Sequence, residues 1–432
     1  MKTQFGISGL IWIGRVYERG AWGDVTRNHI LGLKKIGFPV RVYPVGSIQY
    51  DVKKEADHFI EPLLRIDVGS CPAVIIDKGL EFVHYVKTDQ MVKIGRALFE
   101  TDRVPASMVA DSHLYDEIWV PSQFNLETFA RSGVSRDKLR VVPYGVDTEI
   151  YKPRSGQYPI PERRKFVILT VFGLSWKKGF DLLLEAYFRE FTRKDDVTLV
   201  MKVLRSVGNT AKYYNTRQLI LDSVADRIDL KRQNLSHFVI IDELLRRDCL
   251  LDLYATCDLH ISTDRGAGWG MALMEAMAMG KPVATINYGG GTEFMNCTNS
   301  LLIATTGRLV PVDPRFVAQA PAFGGHQWGE VRVEEVQRVL RYAYEHPEEL
   351  KQIAERGMKD VREHYSLEAV ARRVVVALSE IPPISGQLIG KPKLRFKKAY
   401  GVIFDLRLLY HRLKYWYRSK TMIFRDRIEE KT

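Results

Sequence analysis

Residues 259–286 read "LHISTDRGAGWGMALMEAMAMGKPVATI", and this stretch carries the clearest signal of the fold class. A short apolar run is followed by a glycine-rich turn, then by a helical pattern that carries the single acidic residue Glu275, and then by a second apolar run. Apolar runs joined through a helix are typical of neighbouring parallel strands with a helical crossover. The stretch therefore predicts one strand–turn–helix–strand unit of a parallel α/β sheet.

The same alternation extends in both directions along the chain. Runs such as "FGISGLIWI", "VRVYPV", "AVIID", "FVILTVF" and "VTLVMKVL" alternate with helical patterns, and the proline-rich "KPRSGQYPIPERRK" interrupts the series without any periodicity. We interpret this pattern as α/β, with two doubly wound, Rossmann-like domains that face a cleft. The predicted domains are 1–155 and 156–378, followed by a tail at 379–432.

Composition places the chain among ordinary globular proteins. It has 432 residues, of which 46% are hydrophobic and 27% charged, which is enough for two cores. Its four cysteines form no C-x-x-C pair, so disulfides and a zinc site are not expected. No apolar run is long enough to span a membrane, and we do not expect the first residues to form a signal peptide. We expect a cytoplasmic protein.

The net charge of +12 is concentrated near the C-terminus. Residues 391–420 carry ten Lys or Arg against one Asp, or +9, interleaved with aromatic residues. The remaining body is close to neutral, so no nucleic-acid partner is predicted. The basic helical tail predicts either contact with an anionic membrane surface, which would make the protein peripheral on the inner face of the membrane, or packing on protein.

Chemistry-bearing residues follow several strands of the predicted second domain. These are Lys177 and Lys178 in "VFGLSWKKGFDLLLEAY", Gly266, Gly268, Gly270 and Glu275 in the opening stretch, and Gly289, Gly290, Gly291 and Thr292 in "NYGGGTEF". Lysines at a helix start can neutralise a diphosphate, and a carboxylate can hold both hydroxyls of a ribose. Each motif alone also fits a tight turn or a solvated surface. Three such loops on one sheet edge favour a ligand site.

At these residues the chain resembles the retaining glycosyltransferases of family four, which have the two-domain GT-B fold. The resemblance covers nearly the whole chain up to about residue 378, and it implies that domain 1–155 binds the acceptor and domain 156–378 the nucleotide-sugar donor. The family signature is Glu-x7-Glu within "RGEGWG" and "EAMAxGxPV". Here the second glutamate is Glu275, whereas the first falls on Ala267.

The resemblance implies a role for each matching residue. Lys178 lies at the usual lysine of the basic motif, and Glu100 in "LFETDRVP" takes the place of a histidine that contacts the donor sugar in many relatives; His84 and His113 are alternatives. The implied catalytic positions are Ala267, Glu100 and Lys178. The implied donor-binding residues are Lys177, Lys178, Gly268, Trp269, Gly270, Met271, Glu275, Gly290, Gly291, Thr292 and, in the first domain, Gly23.

The resemblance also implies an activity: transfer of a sugar, with retention of its anomeric configuration, from a UDP- or GDP-sugar to a glycan or lipid-linked glycan, in surface polysaccharide synthesis. No metal and no cofactor are expected. A second hypothesis is a catalytically dead protein that binds a sugar nucleotide and acts as a scaffold. A third hypothesis is a sugar-nucleotide epimerase on the same fold. Ala267 allows three explanations: an engineered inactive variant, a natural loss of activity, or a carboxylate supplied elsewhere, with Glu100 and Asp264 as candidates.

Overall fold

The computed structural model describes residues 7–69, 72–89, 91–204, 215–230, 234–381 and 393–396. Within these residues the chain forms two parallel sheets of six strands each, one from either half of the sequence. The strands are mostly short, apolar and buried, as expected where helices cover both faces of a parallel sheet.

The first sheet lies in the N-terminal half and has the strand order β2-β1-β3-β5-β6-β7. In chain order the elements of this half are β1 (Gly9–Gly14), α1 (Ala21–Lys35), β2 (Val40–Pro44), α2 (Tyr50–Ile60), β3 (Pro72–Asp77), β4 (Val86–Asp89), β5 (Lys93–Arg96), α3 (Ala106–Ser112), β6 (Glu117–Val120), α4 (Gln123–Arg131) and β7 (Leu139–Val141). Trp12 at the centre of β1 pairs with Val42 on one side and with Ile75 on the other. The loops that follow β1, β3 and β5 consequently open at one edge.

The second sheet has the order β10-β9-β8-β11-β12-β13. Its half of the chain contains β8 (Phe166–Gly173), α5 (Phe180–Glu190), β9 (Val197–Leu204), α6 (Thr216–Asp222), β10 (His237–Ile241), α7 (Arg247–Thr256), β11 (Leu259–Ser262), α8 (Met271–Ala278), β12 (Val283–Ile286), β13 (Leu301–Ile303), β14 (Leu309–Pro311), α9 (Pro314–Gln319), β15 (Gln327–Gly329), α10 (Val333–Glu345), α11 (Pro347–His364) and α12 (Leu367–Ser379). The opening stretch forms β11, α8 and β12 as predicted. Residues 152–165 between the halves contain no helix or strand.

The two halves share buried surface on both sides of the cleft. One apolar cluster combines Val25, Tyr144 and Val146 with Trp269 and Leu273. On the other side, a segment that follows β14 reaches back to the first half. There Phe323 stacks on Phe99 with ring centroids 4.7 Å apart, and a ring nitrogen of His326 lies 2.8 Å from the Thr101 hydroxyl.

Helix α12 belongs to the second half by sequence, but it packs on the first. Ala371, Val374, Ala377 and Leu378 join the core cluster that contains Leu10 and Trp12, and a Cβ on Gly32 of α1 would meet the backbone of α12 at Leu367. The close approach of α1 and α12 therefore depends on a glycine. The predicted domain boundaries at 155 and 378 remain predictions.

Only residues 393–396 of the predicted helical tail are described beyond residue 381, and they form a strand, β16 (Lys393–Phe396). This strand pairs antiparallel with β4, and the Phe396 ring lies 5.9 Å from that of Tyr43. The prediction of a helix is wrong for these four residues, since β4 offers a free edge that a strand can pair with. The rest of the basic segment 391–420 lies outside the described residues. Among those described, no helix is both long and apolar enough to cross a membrane.

Candidate functional site

Two loops at the carboxyl edge of the second sheet form the centre of the site. Strands β8 and β11 are hydrogen-bonded neighbours. The turn after β8 contains Lys177 and Lys178, and the loop after β11 contains the glycines. Because parallel strands end at the same edge, the two loops lie side by side.

Hydrogen bonds join these two loops. The backbone N–H of Arg265 donates to the carbonyl of Lys177 at 2.8 Å, and the Thr263 hydroxyl donates to the carbonyl of Gly179 at 2.9 Å. Gly179 has φ 59°, and a Cβ there would lie 2.1 Å from the carbonyl oxygen of Thr263. The lysine turn is thereby held against the glycine loop.

Lys178 forms an ion pair inside the second half of the chain. Its Nζ lies 2.5 Å from a carboxylate oxygen of Asp264, and the side chains are 26% and 9% exposed. Burial opposes the charge of Lys178, but the charge and hydrogen bond of Asp264, together with the charge of Glu100, leave its pKa above the usual value. Lys178 therefore stays charged and can take a second anionic partner.

Lys177 reaches across the cleft. Its Nζ lies 2.6 and 2.5 Å from the two carboxylate oxygens of Glu100, which follows β5 in the first half. The histidine alternatives lie elsewhere: His84 is exposed and lies 2.8 Å from Asp111 on α3, and His113 is exposed at the end of that helix. Of the three candidates, Glu100 is the one paired with the basic loop.

Gly266 and Gly268 have a packing role that the sequence did not show. A Cβ on Gly266 would lie 2.3 Å from the carbonyl oxygen of Glu100, and one on Gly268 would lie 2.3 Å from a methyl carbon of Leu98. The missing side chains thus make room for the first half of the chain. Contact of Gly268 with a donor stays a prediction.

Ala267 lies in the same loop, between these two glycines. It is 9% exposed, and its carbonyl accepts a hydrogen bond of 2.7 Å from the N–H of Gly290. A Cβ on Gly290 would lie 1.9 Å from the carbonyl oxygen of Gly268. The loop "GGGT" therefore packs directly on the loop that holds Ala267.

The other residues of "GGGT" line the same edge. Gly291 is buried, and Thr292 is exposed with its hydroxyl donating 2.8 Å to the carbonyl of Gly289. The neighbouring Glu293 accepts a hydrogen bond of 2.7 Å from the N–H of Gln123 at the start of α4. This loop consequently also contacts the first half.

Trp269 is part of the core. It is 3% exposed, and its ring lies 5.5 Å from Tyr144, 5.0 Å from Phe294 and 5.9 Å from Tyr365. Within the described part of the chain its indole N–H has no acceptor. Its side chain joins the two halves, and a contact with the donor stays a prediction.

Glu275 is half-buried on α8, which begins at Met271 after Gly270 in the left-handed conformation (φ 109°). The Tyr254 hydroxyl donates to its carboxylate at 2.9 Å. Burial and the charge of Asp24 raise the pKa of Glu275 to about 7, while hydrogen bonds from Tyr254 and Tyr151 oppose that rise. A carboxylate with this pKa changes charge near neutral pH.

The first half of the chain contributes the start of α1. Gly23 is buried there, and a Cβ at this position would lie 1.9 Å from the carbonyl oxygen of Glu18. The glycine allows the loop after β1 to fold against the helix. Asp24, the next residue, is the one whose charge acts on Glu275.

Sequence reasoning missed a buried ion pair at the carboxyl edge of the first sheet. Arg96 and Asp77 end β5 and β3, lie 2.6 Å apart, and are 3% and 4% exposed. Thr26 and Trp12 also donate to the Asp77 carboxylate. The sequence signal for this pair was a charged residue at the end of each of two mostly apolar runs.

No group of three or more acidic, histidine or cysteine residues that could hold a metal occurs within the described ranges. The expectation of metal-free chemistry rests on the family resemblance and is not decided by this finding.

Parts of the chain are similar in sequence to known proteins. Residues 165–320 match the family model described as glycosyl transferases group 1. The chain is 27% identical over 163 residues to mannosylfructose-phosphate synthase of Agrobacterium fabrum and 24% identical over 242 residues to MMP α-(1→4)-mannosyltransferase of Mycolicibacterium hassiacum. These matches cover 37% and 56% of this chain but only 34% and 48% of the two relatives.

Solved structures extend the likeness over both halves. HepE of Anabaena, crystallised with UDP and glucose, has a TM-score of 0.56 at 14% identity, covering 87% of this chain and all of that one. The UDP-forming α,α-trehalose-phosphate synthase of Burkholderia vietnamiensis has a TM-score of 0.58 at 13% identity, covering 87% of this chain and 99% of that one. The fold is GT-B, with two Rossmann-like domains. The relatives found by sequence are glycosyltransferases, and the family match supports a transferase of that kind.

Proposed function

We propose that the protein transfers a sugar from a nucleotide-sugar donor to a glycan or lipid-linked glycan, with retention of configuration, in surface polysaccharide synthesis. The observation that carries the proposal is the placement of Lys177 and Lys178 in the turn after β8 and of Glu275 on α8, which follows the neighbouring strand β11. From the first domain, Glu100 pairs with Lys177, and the charge of Asp24 acts on Glu275.

The donor site follows from the charges. Lys177 and Lys178 are suited to the two phosphates of the donor, because each already binds a carboxylate with its ammonium group. Glu275 is suited to the ribose hydroxyls, since it accepts hydrogen bonds and is only half-buried. The neighbour HepE was crystallised with UDP and with UDP-glucose, which supports a UDP-sugar; a GDP-sugar is the alternative.

The mechanism rests on orientation and charge. The departing diphosphate would carry the negative charge that Lys177 and Lys178 offset, and it would help to deprotonate the incoming acceptor hydroxyl on the same face of the sugar. Groups held in place before the reaction act strongly in a cleft from which water is excluded. Neither a metal nor a cofactor has a role in this proposal.

Ala267 favours a second candidate, a sugar-nucleotide-binding scaffold without turnover, because alanine offers neither charge nor hydrogen bond. Against this, two acidic residues are neighbours of the loop that holds Ala267. Glu100 packs on the adjacent Gly266, and Asp264 precedes it by three residues. We therefore retain enzymatic transfer as the main proposal.

We further propose that the protein acts in the cytoplasm and contacts the inner face of the membrane through the basic segment 391–420. Each basic residue near an anionic surface adds about 1 kcal/mol of attraction. Sedimentation of the full chain with anionic vesicles tests this, and recovery of the whole protein in the supernatant at low salt would refute it.

Thermal stabilisation by UDP, GDP and ADP tests the donor site. A nucleotide at 100 times its dissociation constant adds about 2.7 kcal/mol to the free energy of unfolding. The nucleotide that stabilises is then offered as its glucose or mannose conjugate, and release of the free diphosphate is followed. The absence of stabilisation by all three would overturn the proposal, whereas binding without any release would favour the scaffold.

A further inference from the structure

The lysine turn is short and needs an external support. Residues Trp176–Lys178 form a single 3-10 turn between β8 and α5, closed by hydrogen bonds from the Lys178 N–H to the Ser175 carbonyl at 2.9 Å and from the Gly179 N–H to the Trp176 carbonyl at 3.2 Å. Adjacent residues on such a turn point in different directions. Two lysines there can serve one diphosphate only if the backbone of the turn is fixed.

Arg265 supplies that support. Its backbone N–H donates to the carbonyl of Lys177 at 2.8 Å, and its guanidinium donates to the carbonyl of Trp176 at 2.9 Å. One residue of the glycine loop therefore binds two consecutive carbonyl groups of the lysine turn.

Asp181 in turn holds the guanidinium of Arg265. The two groups form a bidentate pair with distances of 2.8 and 2.9 Å, and the Asp181 side chain is 1% exposed. Bidentate arginine–carboxylate pairs fix direction as well as distance. Asp181 lies in the first turn of α5, so the support connects the glycine loop, the lysine turn and the helix that follows it.

A second arginine packs on the same turn from outside. The guanidinium of Arg315 lies 3.7 Å from the centre of the Trp176 ring and 3.6 Å from the Asp181 carboxylate. It pairs mainly with Asp313, at 2.6 Å. Arg315 thus covers the turn without binding its backbone, whereas Arg265 binds the backbone directly.

We infer that Arg265, oriented by Asp181, is a positioning residue that sets Lys177 and Lys178 for the two phosphates of the donor. The inference rests on the proposed donor site. Arg265 acts through the lysines, because the described contacts of its guanidinium go to Trp176 and Asp181. Its loss should therefore weaken the phosphate part of donor binding and spare the nucleoside part.

The test compares the affinities of UDP, UMP and uridine by calorimetry, or of the guanosine series if GDP is the nucleotide that stabilises. Arg265→Lys keeps the charge but cannot form the fork to Asp181 and the Trp176 carbonyl. We expect UDP to bind about tenfold more weakly, corresponding to the partial loss of charged hydrogen bonds. The affinity for uridine should remain unchanged.

Arg341→Lys is the matched control. Arg341 forms a similar network at the other end of α5, with Glu190 at 2.7 Å, the Glu190 carbonyl at 2.9 Å and Asp195 at 3.3 Å. Its side chain is 29% exposed, compared with 18% for Arg265. We expect this variant to lose thermal stability but to keep the wild-type ratio of UDP to uridine affinity.

Asp181→Asn is a second variant in case Arg265→Lys does not fold. It should also lower the ratio of UDP to uridine affinity. An unchanged ratio in a folded Arg265 or Asp181 variant overturns the inference, as does an equal loss in the Arg341 variant. If the wild-type chain itself binds UDP no better than uridine, the proposed phosphate site fails, and that result is distinct from a failure of the positioning role.

Discussion

Lys177 and Glu100 come from different domains, yet the lysine Nζ lies within 2.6 Å of both carboxylate oxygens of Glu100. Each side chain is 20% exposed. The pair therefore lies between the two domains. A diphosphate that enters the cleft must compete with the Glu100 carboxylate for the same ammonium group.

Removal of the competitor should strengthen nucleotide binding. We expect Glu100→Gln to bind UDP about two- to fivefold more tightly, because partly exposed ion pairs contribute roughly 0.2–1 kcal/mol. Calorimetry with UDP measures this. Glu127→Gln, which breaks a 2.6 Å pair with Arg136 inside the first domain, serves as the control and should leave the affinity unchanged. Weaker binding by Glu100→Gln would mean that Glu100 orients Lys177 instead of competing for it.

Variants of the Lys178–Asp264 pair can distinguish an effect on stability from an effect on UDP binding. Lys178→Met leaves the Asp264 carboxylate, 9% exposed, without its cation. We expect the free energy of unfolding to fall by about 2 kcal/mol, less than for a fully buried pair because Lys178 is partly exposed. The double variant Lys178→Met/Asp264→Asn should recover stability but still bind UDP poorly.

Urea denaturation and UDP titration of the three proteins check this pair. If the double variant recovers UDP affinity together with stability, Lys178 supports the fold and has no direct contact with phosphate.

From the raised pKa of Glu275, we expect nucleoside binding to depend on pH. Burial and Asp24 raise its pKa to about 7, so the carboxylate needed for the ribose hydroxyls is mostly protonated below that pH. Uridine carries no phosphate that could titrate. Its affinity should rise about tenfold from pH 6 to pH 8, in proportion to the ionised fraction of Glu275.

Glu275→Gln should bind uridine weakly at every pH and show no such rise. The free energy of unfolding of the protein without uridine should fall as the pH rises, whereas the affinity for uridine increases. A raised pKa in the folded state means that stability is lost as pH rises through 7. Wild type should therefore lose stability relative to Glu275→Gln between pH 5 and pH 8, and a constant difference would contradict the raised pKa of Glu275.

Because His260 is buried, we expect the stability of the protein to fall in acid. It lies on β11 with 0% exposure and no hydrogen-bond partner in the described chain, and burial lowers its pKa to about 3. Below pH 6.5 the unfolded chain binds a proton that the folded chain does not bind. Stability should therefore fall by up to about 1.4 kcal/mol for each further pH unit because of this one group.

His260→Leu should reduce that slope. Ile261→Val on the same strand lowers stability by removing a methylene and should leave the slope as in wild type. Urea denaturation at pH 7, 6, 5 and 4 gives the three slopes. Equal slopes in wild type and His260→Leu would contradict the prediction.

The alternation of apolar runs and helical patterns was sufficient to predict both sheets, because parallel strands buried on both faces leave a strong local signal. The position of α12 was not predictable in this way. An amphipathic helix shows that one face is buried, but its sequence does not show which domain covers that face. Likewise β16 is defined by its pairing with β4, which no local pattern reveals.

Lys177 and Lys178 were predicted from sequence because they lie between a strand and a helix, and Glu275 because it lies in the helix that follows the glycine-rich turn. Their roles in donor binding remain predictions. Asp181 was not predicted, since an acidic residue in the first turn of a helix is usually a solvated group that interacts favourably with the helix dipole. Its burial at 1% follows from the position of Arg265, 84 residues away in sequence. The glycines at 266 and 268 were assigned to a ligand, whereas the structure fills the space beside them with Leu98 and Glu100.

Ala267→Glu tests the remaining question at the site. A carboxylate at this position would add a partner for the hydroxyls of the transferred sugar without changing Lys177, Lys178 or Glu275. We expect UDP affinity to stay within about threefold of wild type and donor hydrolysis to rise by about 100-fold, since the loss of one transition-state contact costs on the order of 10²–10³ in rate. Ala267→Gln, of equal size but uncharged, is the control and should show no such gain.

The outcome with Glu100 decides between the explanations for Ala267. Hydrolysis that is already rapid in wild type, is lost in Glu100→Gln and returns in Glu100→Gln/Ala267→Glu would show that Glu100 supplies the missing carboxylate from across the cleft. Its position supports this route, because its backbone packs directly on Gly266, the residue before Ala267. If a donor binds but neither wild type nor Ala267→Glu hydrolyses it, the chain acts as a binding scaffold and the proposed transfer reaction is wrong.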